Sequence, residues 1–151
     1  MLNHPNRVRS LTLIEPPAIW VLKSRGPLSN ELEEERKQIQ RLGSSDVSEN
    51  QLVWFAHFAG FVPQDVDPRA MPQWPVWTKH RQSLRTGDIV FQHEDNIKRV
   101  RKFTKPVLLF KGVGSPNFLT SIIDILGKEF TRARVKELPA AHALHIVSKD
   151  R

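Results

Sequence analysis

The sequence contains no cysteine. That excludes disulfides, thiolate catalysis and cysteine-based metal sites together, and it fits a reducing compartment, expected here to be the cytoplasm. Long hydrophobic runs are also missing. Val107–Phe110 is only a strand's worth, far short of the roughly 20 apolar residues of a membrane-spanning helix. The first six residues, Met1-Leu2-Asn3-His4-Pro5-Asn6, hold no apolar stretch of signal-peptide length. There is no H-E-x-x-H helix, and Gly112-Val113-Gly114 lacks the spacing and the lysine of a phosphate-binding loop. Neither a metal nor a cofactor is therefore expected.

Acidic residues are fewer than basic ones, 16 against 23, for a net charge of +7. The densest basic cluster, Lys98, Arg99, Arg101, Lys102 and Lys105, follows His93-Glu94-Asp95 on what reads as one short helix. Acids in a first turn and bases in a last turn complement the helix dipole, which accounts for the cluster without a ligand. No basic stripe is interleaved with aromatics, so a nucleic-acid partner is not expected, nor is a membrane. At 151 residues, 39% apolar and 26% charged, the chain is long enough for a globular domain with its own core.

Arg7–Ile14 reads as a strand stopped by Glu15-Pro16-Pro17. Thr104–Lys111 holds a second, apolar at every position of Val107–Phe110, as expected of a strand buried on both faces of a parallel sheet. Ala133–Leu138 is a third and more polar strand, suited to a sheet edge. Between the last two lies a helix over about Pro116–Phe130, with Leu119, Ile122, Ile123, Leu126 and Phe130 on one face. Ser115 is the expected N-cap, and Pro116 fits the first helical position. Strand, helix, strand makes a right-handed βαβ unit. Residues 18–103 differ: Leu28–Leu42 is a charged helix, and Ser48–Gly60 opens with a Ser48/Gln51 capping box. The prolines at 63, 68, 72 and 75 break the segment that follows.

Three passages resemble the α/β-hydrolase fold superfamily. His4–Pro17 is similar to the stretch behind the nucleophile helix and the sixth strand. Pro106–Gly112 is similar to the seventh strand, and Ala133–Ala143 to the eighth strand and the loop of the catalytic histidine. The resemblance implies an α/β fold: about three parallel strands with flanking helices and an inserted helical cap. Residues 1–17 and 104–151 would be the C-terminal part of the core, and 18–103 the cap. It also implies that the family's nucleophile turn, G-x-S-x-G, is not in this chain. The nearest match, Gly43-Ser44-Ser45-Asp46-Val47, lacks the second glycine and reads as a hinge between helices.

Within that resemblance His142 is the general base, since the chemistry needs an imidazole able to take and return a proton. His145, three residues on, reads as a packing or surface residue. The acid that orients the imidazole commonly follows the seventh strand, where this chain has Gly112-Val113-Gly114-Ser115. Some members place it at the end of the sixth strand, and Glu15 stands there. Glu15 is the candidate orienting acid, and an ordinary turn carboxylate remains the alternative. Trp54, Phe55, Phe58, Trp74 and Trp77, with Phe61, line a substrate pocket under the cap or form a small core between its helices. The function implied is a C-terminal fragment of a serine hydrolase cleaving an ester, amide or C–C bond, inactive alone for want of a nucleophile. Completed, it would take a small ester-like substrate. The alternative is a non-enzymatic interaction module. In either case the first strand would expose an unpaired edge, to be closed in a homodimer or by a partner that completes the sheet.

Overall fold

The computed structural model describes residues 3–142. In chain order they form β1 (Leu11–Ile14), α1 (Ile19–Lys23), α2 (Asn30–Leu42), α3 (Glu49–Phe58), α4 (Trp74–His80), α5 (Ile89–Gln92), α6 (Ile97–Val100), β2 (Val107–Gly112), α7 (Asn117–Glu129) and β3 (Ala133–Leu138). Short 3₁₀ turns lie at Pro5–Arg7, Pro68–Ala70 and Arg81–Thr86. The chain divides into two compact units, Met1–Pro27 with His93–Arg151, and Leu28–Gln92. The sheet-bearing unit thus takes in residues 18–27 and 93–103, which the sequence reading assigns to the insert.

The sheet is parallel, in the order β1-β2-β3. Leu11 pairs with Val107 and Val107 with Ala133; Leu13 pairs with Leu109 and Leu109 with Val135. α7 covers the face that carries Leu109 and Val135. It comes so close that a Cβ on Gly127 would meet Val135 Cγ2 at 2.8 Å, so any side chain there must displace Val135. Its apolar stripe, Leu119, Ile122, Ile123 and Leu126, is buried, and α1 and α6 lie against it. Phe103 packs edge-on against Phe130, ring centres 6.0 Å apart. Burying this stripe is what holds the helix to the sheet, at roughly 1.5–3 kcal/mol for each large side chain.

In the Leu28–Gln92 unit, Ser29 caps α2 by accepting the Leu32 N–H at 3.2 Å, and Leu32, Ile39 and Leu42 are buried along one side. Ser48 and Gln51 form the full capping box of α3. Each such cap contributes about 1 kcal/mol.

Four sequence expectations need correction. Pro5–Arg7 is a 3₁₀ turn, which suits proline's fixed φ and missing N–H, so β1 begins only at Leu11. Ser115 does not cap α7. The cap residue is the extended Pro116, and Ser115 stands one position too early for its hydroxyl to reach the first-turn amides. His93-Glu94-Asp95 precedes the four-residue α6 and is not its first turn; Asn96 is the cap, and Asp95 pairs with Arg99 at 2.8 Å. Finally, β2 is not buried on both faces among the described residues. Val107 and Leu109 are buried, while Leu108 and Phe110 are half-buried.

Candidate functional site

Glu15 is the residue at which β1 ends. Its N–H still donates to the Phe110 carbonyl at 3.2 Å, as a ladder residue should. Its φ is then +40°, and no other non-glycine residue among those described has a positive φ. Such a conformation costs a non-glycine residue on the order of 1–3 kcal/mol and persists only where its surroundings impose it. Here the following Pro16-Pro17 cannot continue a strand. The turn brings the side chain round into the ladder, and Gly112 N–H donates to Glu15 Oε1 at 2.8 Å. A side-chain carboxylate thus takes the place of a strand carbonyl at the end of the sheet.

The other carboxylate oxygen faces the loop after β3. Glu15 Oε2 lies 2.8 Å from His142 Nδ1, across 127 positions of sequence. Glu15 is 1% exposed, and a buried carboxylate needs such partners. Both of its oxygens are engaged. The loop bearing His142 is itself tied to the end of β2. Val113 N–H donates to the Leu138 carbonyl and Gly114 N–H to the Ala140 carbonyl, each at 3.1 Å. Gly112 makes the approach feasible, because a Cβ there would lie 2.3 Å from the Ala140 carbonyl oxygen and 2.7 Å from Ser115 Oγ. Backbone cannot yield that much, so any side chain at 112 must push the histidine loop away. Ser115 Oγ is buried in the same corner without a hydrogen-bond partner among the described residues.

No protein-family model and no curated protein matches the chain. Solved structures do. A hydrolase from Pseudomonas aeruginosa superposes with a TM-score of 0.67 at 19% identity, over 93% of this chain and 51% of the other. A 2-hydroxy-6-oxo-6-phenylhexa-2,4-dienoate hydrolase from Rhodococcus gives 0.60 at 14% identity, over 93% and 51%. An alpha/beta hydrolase from Sphaerobacter thermophilus gives 0.50 at 20% identity, over 92% and 55%. The chain therefore spans about half the length of each.

The chain carries the C-terminal part of the α/β-hydrolase fold.

Other candidate residues of this hydrolase-fold chain lie elsewhere. Trp54, Phe55, Phe58, Phe61, Trp74 and Trp77 all belong to the Leu28–Gln92 unit and are half-buried. They largely pack on one another: Trp54 stacks on Phe58 at 5.5 Å, Phe55 meets Phe61 edge-on at 6.1 Å, and Phe61 lies 6.0 Å from Trp77. Arg69 sits over the Trp74 ring at 5.9 Å. His57 Nδ1 lies 3.4 Å from the Val62 carbonyl. His145 falls outside the described residues.

Sequence reasoning missed Glu129. It ends α7, 3% exposed, with its carboxylate held by Arg25 and by Arg101 at 2.6 and 3.1 Å. Hydrogen bonds from Arg101 lead those effects and hold the Glu129 carboxyl below its ordinary value. Arg25 lies just before the Leu28–Gln92 unit and Arg101 just after it. One buried carboxylate therefore ties both connecting segments to the sheet unit. The signal was there: Glu129 stands seven residues after Ile122, on the apolar side of the helix.

Proposed function

We propose that this chain supplies the acid–base half of a serine-hydrolase site. Glu15 accepts a hydrogen bond at one end of the His142 ring, and the ring acts as general base and acid at the other. The nucleophilic serine comes from outside these 151 residues. The observation that carries this reading is the 2.8 Å contact of Glu15 Oε2 with His142 Nδ1, backed by Gly112 N–H on Oε1. A carboxylate can only accept, so the shared proton belongs to Nδ1 and the lone pair to Nε2. That is the tautomer a base needs to take a proton from a serine hydroxyl and pass it to a leaving group.

The reaction is acyl transfer through an acyl-enzyme, on an ester, an amide or a C–C bond beside a carbonyl. The Leu28–Gln92 unit is the cap, and its half-buried aromatics supply apolar contacts to a substrate. The outer edge of β1, unpaired among the described residues, is closed by a further strand, from the rest of the hydrolase fold or from a second copy.

A chimera tests the reading. The front part of a serine hydrolase of this fold, with its G-x-S-x-G turn, is joined ahead of this chain, and p-nitrophenyl ester hydrolysis is measured. His142→Ala should lower kcat by about 10⁴-fold, and Glu15→Gln should cost about 10²–10⁴-fold by imposing the wrong tautomer. A chimera that melts cooperatively and hydrolyses esters at a rate indifferent to His142→Ala would contradict the assignment.

A further inference from the structure

One polar residue interrupts the apolar run of β2. Lys111 follows Val107–Phe110 and lies on the face that α7 covers, two positions after Leu109. Its ammonium is held from two elements, by Asp124 Oδ1 on α7 at 2.9 Å and by Glu137 Oε2 on β3 at 3.3 Å. Hydrogen bonding to Asp124 leads the effects that raise Lys111 above its ordinary value, so the ammonium stays charged. Both acids are about half exposed, and ion pairs of that kind add little to stability. A second acid on one lysine is therefore more than the fold requires.

The neighbour of Lys111 across the ladder is Glu15. Glu15 follows the last β1–β2 pair, Ile14 with Phe110, and so stands level with Lys111. Two hydrogen bonds fix that level: Glu15 N–H donates to the Phe110 carbonyl at 3.2 Å, and Gly112 N–H to Glu15 Oε1 at 2.8 Å. Adjacent strands run roughly 4.8 Å apart, within the reach of a lysine's flexible stem. A buried carboxylate and an ammonium at that spacing attract strongly. Among the described residues, however, Glu15 pairs with no lysine or arginine, and its Oε2 is turned to His142.

We infer that Asp124 and Glu137 are positioning residues: they hold the Lys111 charge away from Glu15 and so leave that carboxylate to His142. Were Lys111 to turn to Glu15, its ammonium would take the oxygen lone pairs that hold the Nδ1 proton, and the ring would lose its tautomer preference. The other buried carboxylate of the sheet unit shows the opposite arrangement. Glu129 draws two cations, Arg25 and Arg101, onto itself. There one acid serves two cations; here two acids serve one cation, and Glu15 is spared. The inference rests on the acid–base reading of Glu15 and His142, and it gives that pair a further requirement, a neighbouring cation already satisfied elsewhere.

Side-chain NMR of the full chain tests this, after each variant is shown to melt like the wild type. The acids are removed in D124N/E137Q, the lysine in K111M, and all three in D124N/E137Q/K111M. The single changes D124N and E137Q, read the same way, cover a double variant that does not fold. In D124N/E137Q the ratio of Nδ1–H to Nε2–H tautomers of neutral His142 should fall at least about fivefold. Through-space contacts should then appear between the Lys111 Cε protons and the Glu15 side chain. K111M alone should leave the ratio within about twofold of the wild type, and K111M added to D124N/E137Q should return it to that range, the non-additivity of groups that act on one another. Unchanged tautomers and contacts in D124N/E137Q would overturn the inference. So would a triple variant that fails to recover, since the acids would then act without Lys111. A wild-type ring protonated on Nε2 would instead sink the acid–base reading, and the Lys111–Glu15 contacts would still decide whether the acids restrain the lysine.

Discussion

The two ends of one small sheet are built on opposite terms. At the C-terminal end every strand terminus meets another part of the chain: Glu15 turns back to accept from Gly112 and reach His142, and the loop after β3 folds onto Gly112–Gly114. At the N-terminal end a hollow lined by Ser10, Thr12, Pro106 and Leu108 carries Arg132, Arg134 and Lys136, and none of these cations pairs with an acid among the described residues. The first arrangement is over-determined. A glutamate at positive φ, a buried carboxylate and a glycine with no room for a methyl group are each costly, and they persist because they support one another. The second leaves three cations and the outer edge of β1 without partners among the described residues.

Substitutions can break or sharpen that contrast. The largest effect is expected at Gly112, where Gly112→Ala drives a methyl group into the Ala140 carbonyl. It should cost about 3 kcal/mol in denaturant unfolding and release His142 from Glu15. Next is Glu15→Ala, which leaves the Gly112 N–H buried without an acceptor and should cost about 2 kcal/mol. Glu15→Gln keeps an oxygen for that N–H and should cost less. Glu129→Gln should cost about 1–2 kcal/mol, since its arginines are partly exposed and screened. It should also change the pH profile. The Glu129 carboxyl sits lower in the folded chain than in the unfolded one, so its contribution is complete above the ordinary carboxylate range. That contribution fades as pH falls towards the depressed folded value, and Glu129→Gln should flatten this stretch of the stability curve. The smallest effect belongs to the N-terminal end of the sheet: Arg134→Gln with Lys136→Gln should stay within about 0.5 kcal/mol, because both side chains are exposed and neither pairs with an acid among the described residues.

Much of the architecture was legible because it rests on local rules. β3 has the bounds that its composition suggests, Ala133–Leu138, and α7 buries the stripe that its 3.6-residue period marks. The Ser48/Gln51 box caps α3 as its spacing indicates. What escaped depends on chain meeting chain. Nothing near Ser115 announces that Pro116 takes over the cap, or that the Ser115 hydroxyl ends buried beside Gly112. Glu15 and His142 were each singled out by position in a resemblance, but their hydrogen bond needs the register of three strands and a glutamate at φ +40°. The polar sheet face escaped for a related reason: Val107–Phe110 reads as apolar at every position, and only the register shows that Leu108 and Phe110 lie beside Arg134 and Lys136.

The central claim concerns a single proton, and side-chain ¹H–¹⁵N NMR of His142 addresses it most directly, at a pH where the ring is neutral. The account predicts the proton on Nδ1 in the wild type and its transfer to Nε2 in Glu15→Gln, where the amide nitrogen can donate to Nδ1. A wild-type ring already protonated on Nε2, or a tautomer unmoved by Glu15→Gln, would contradict it.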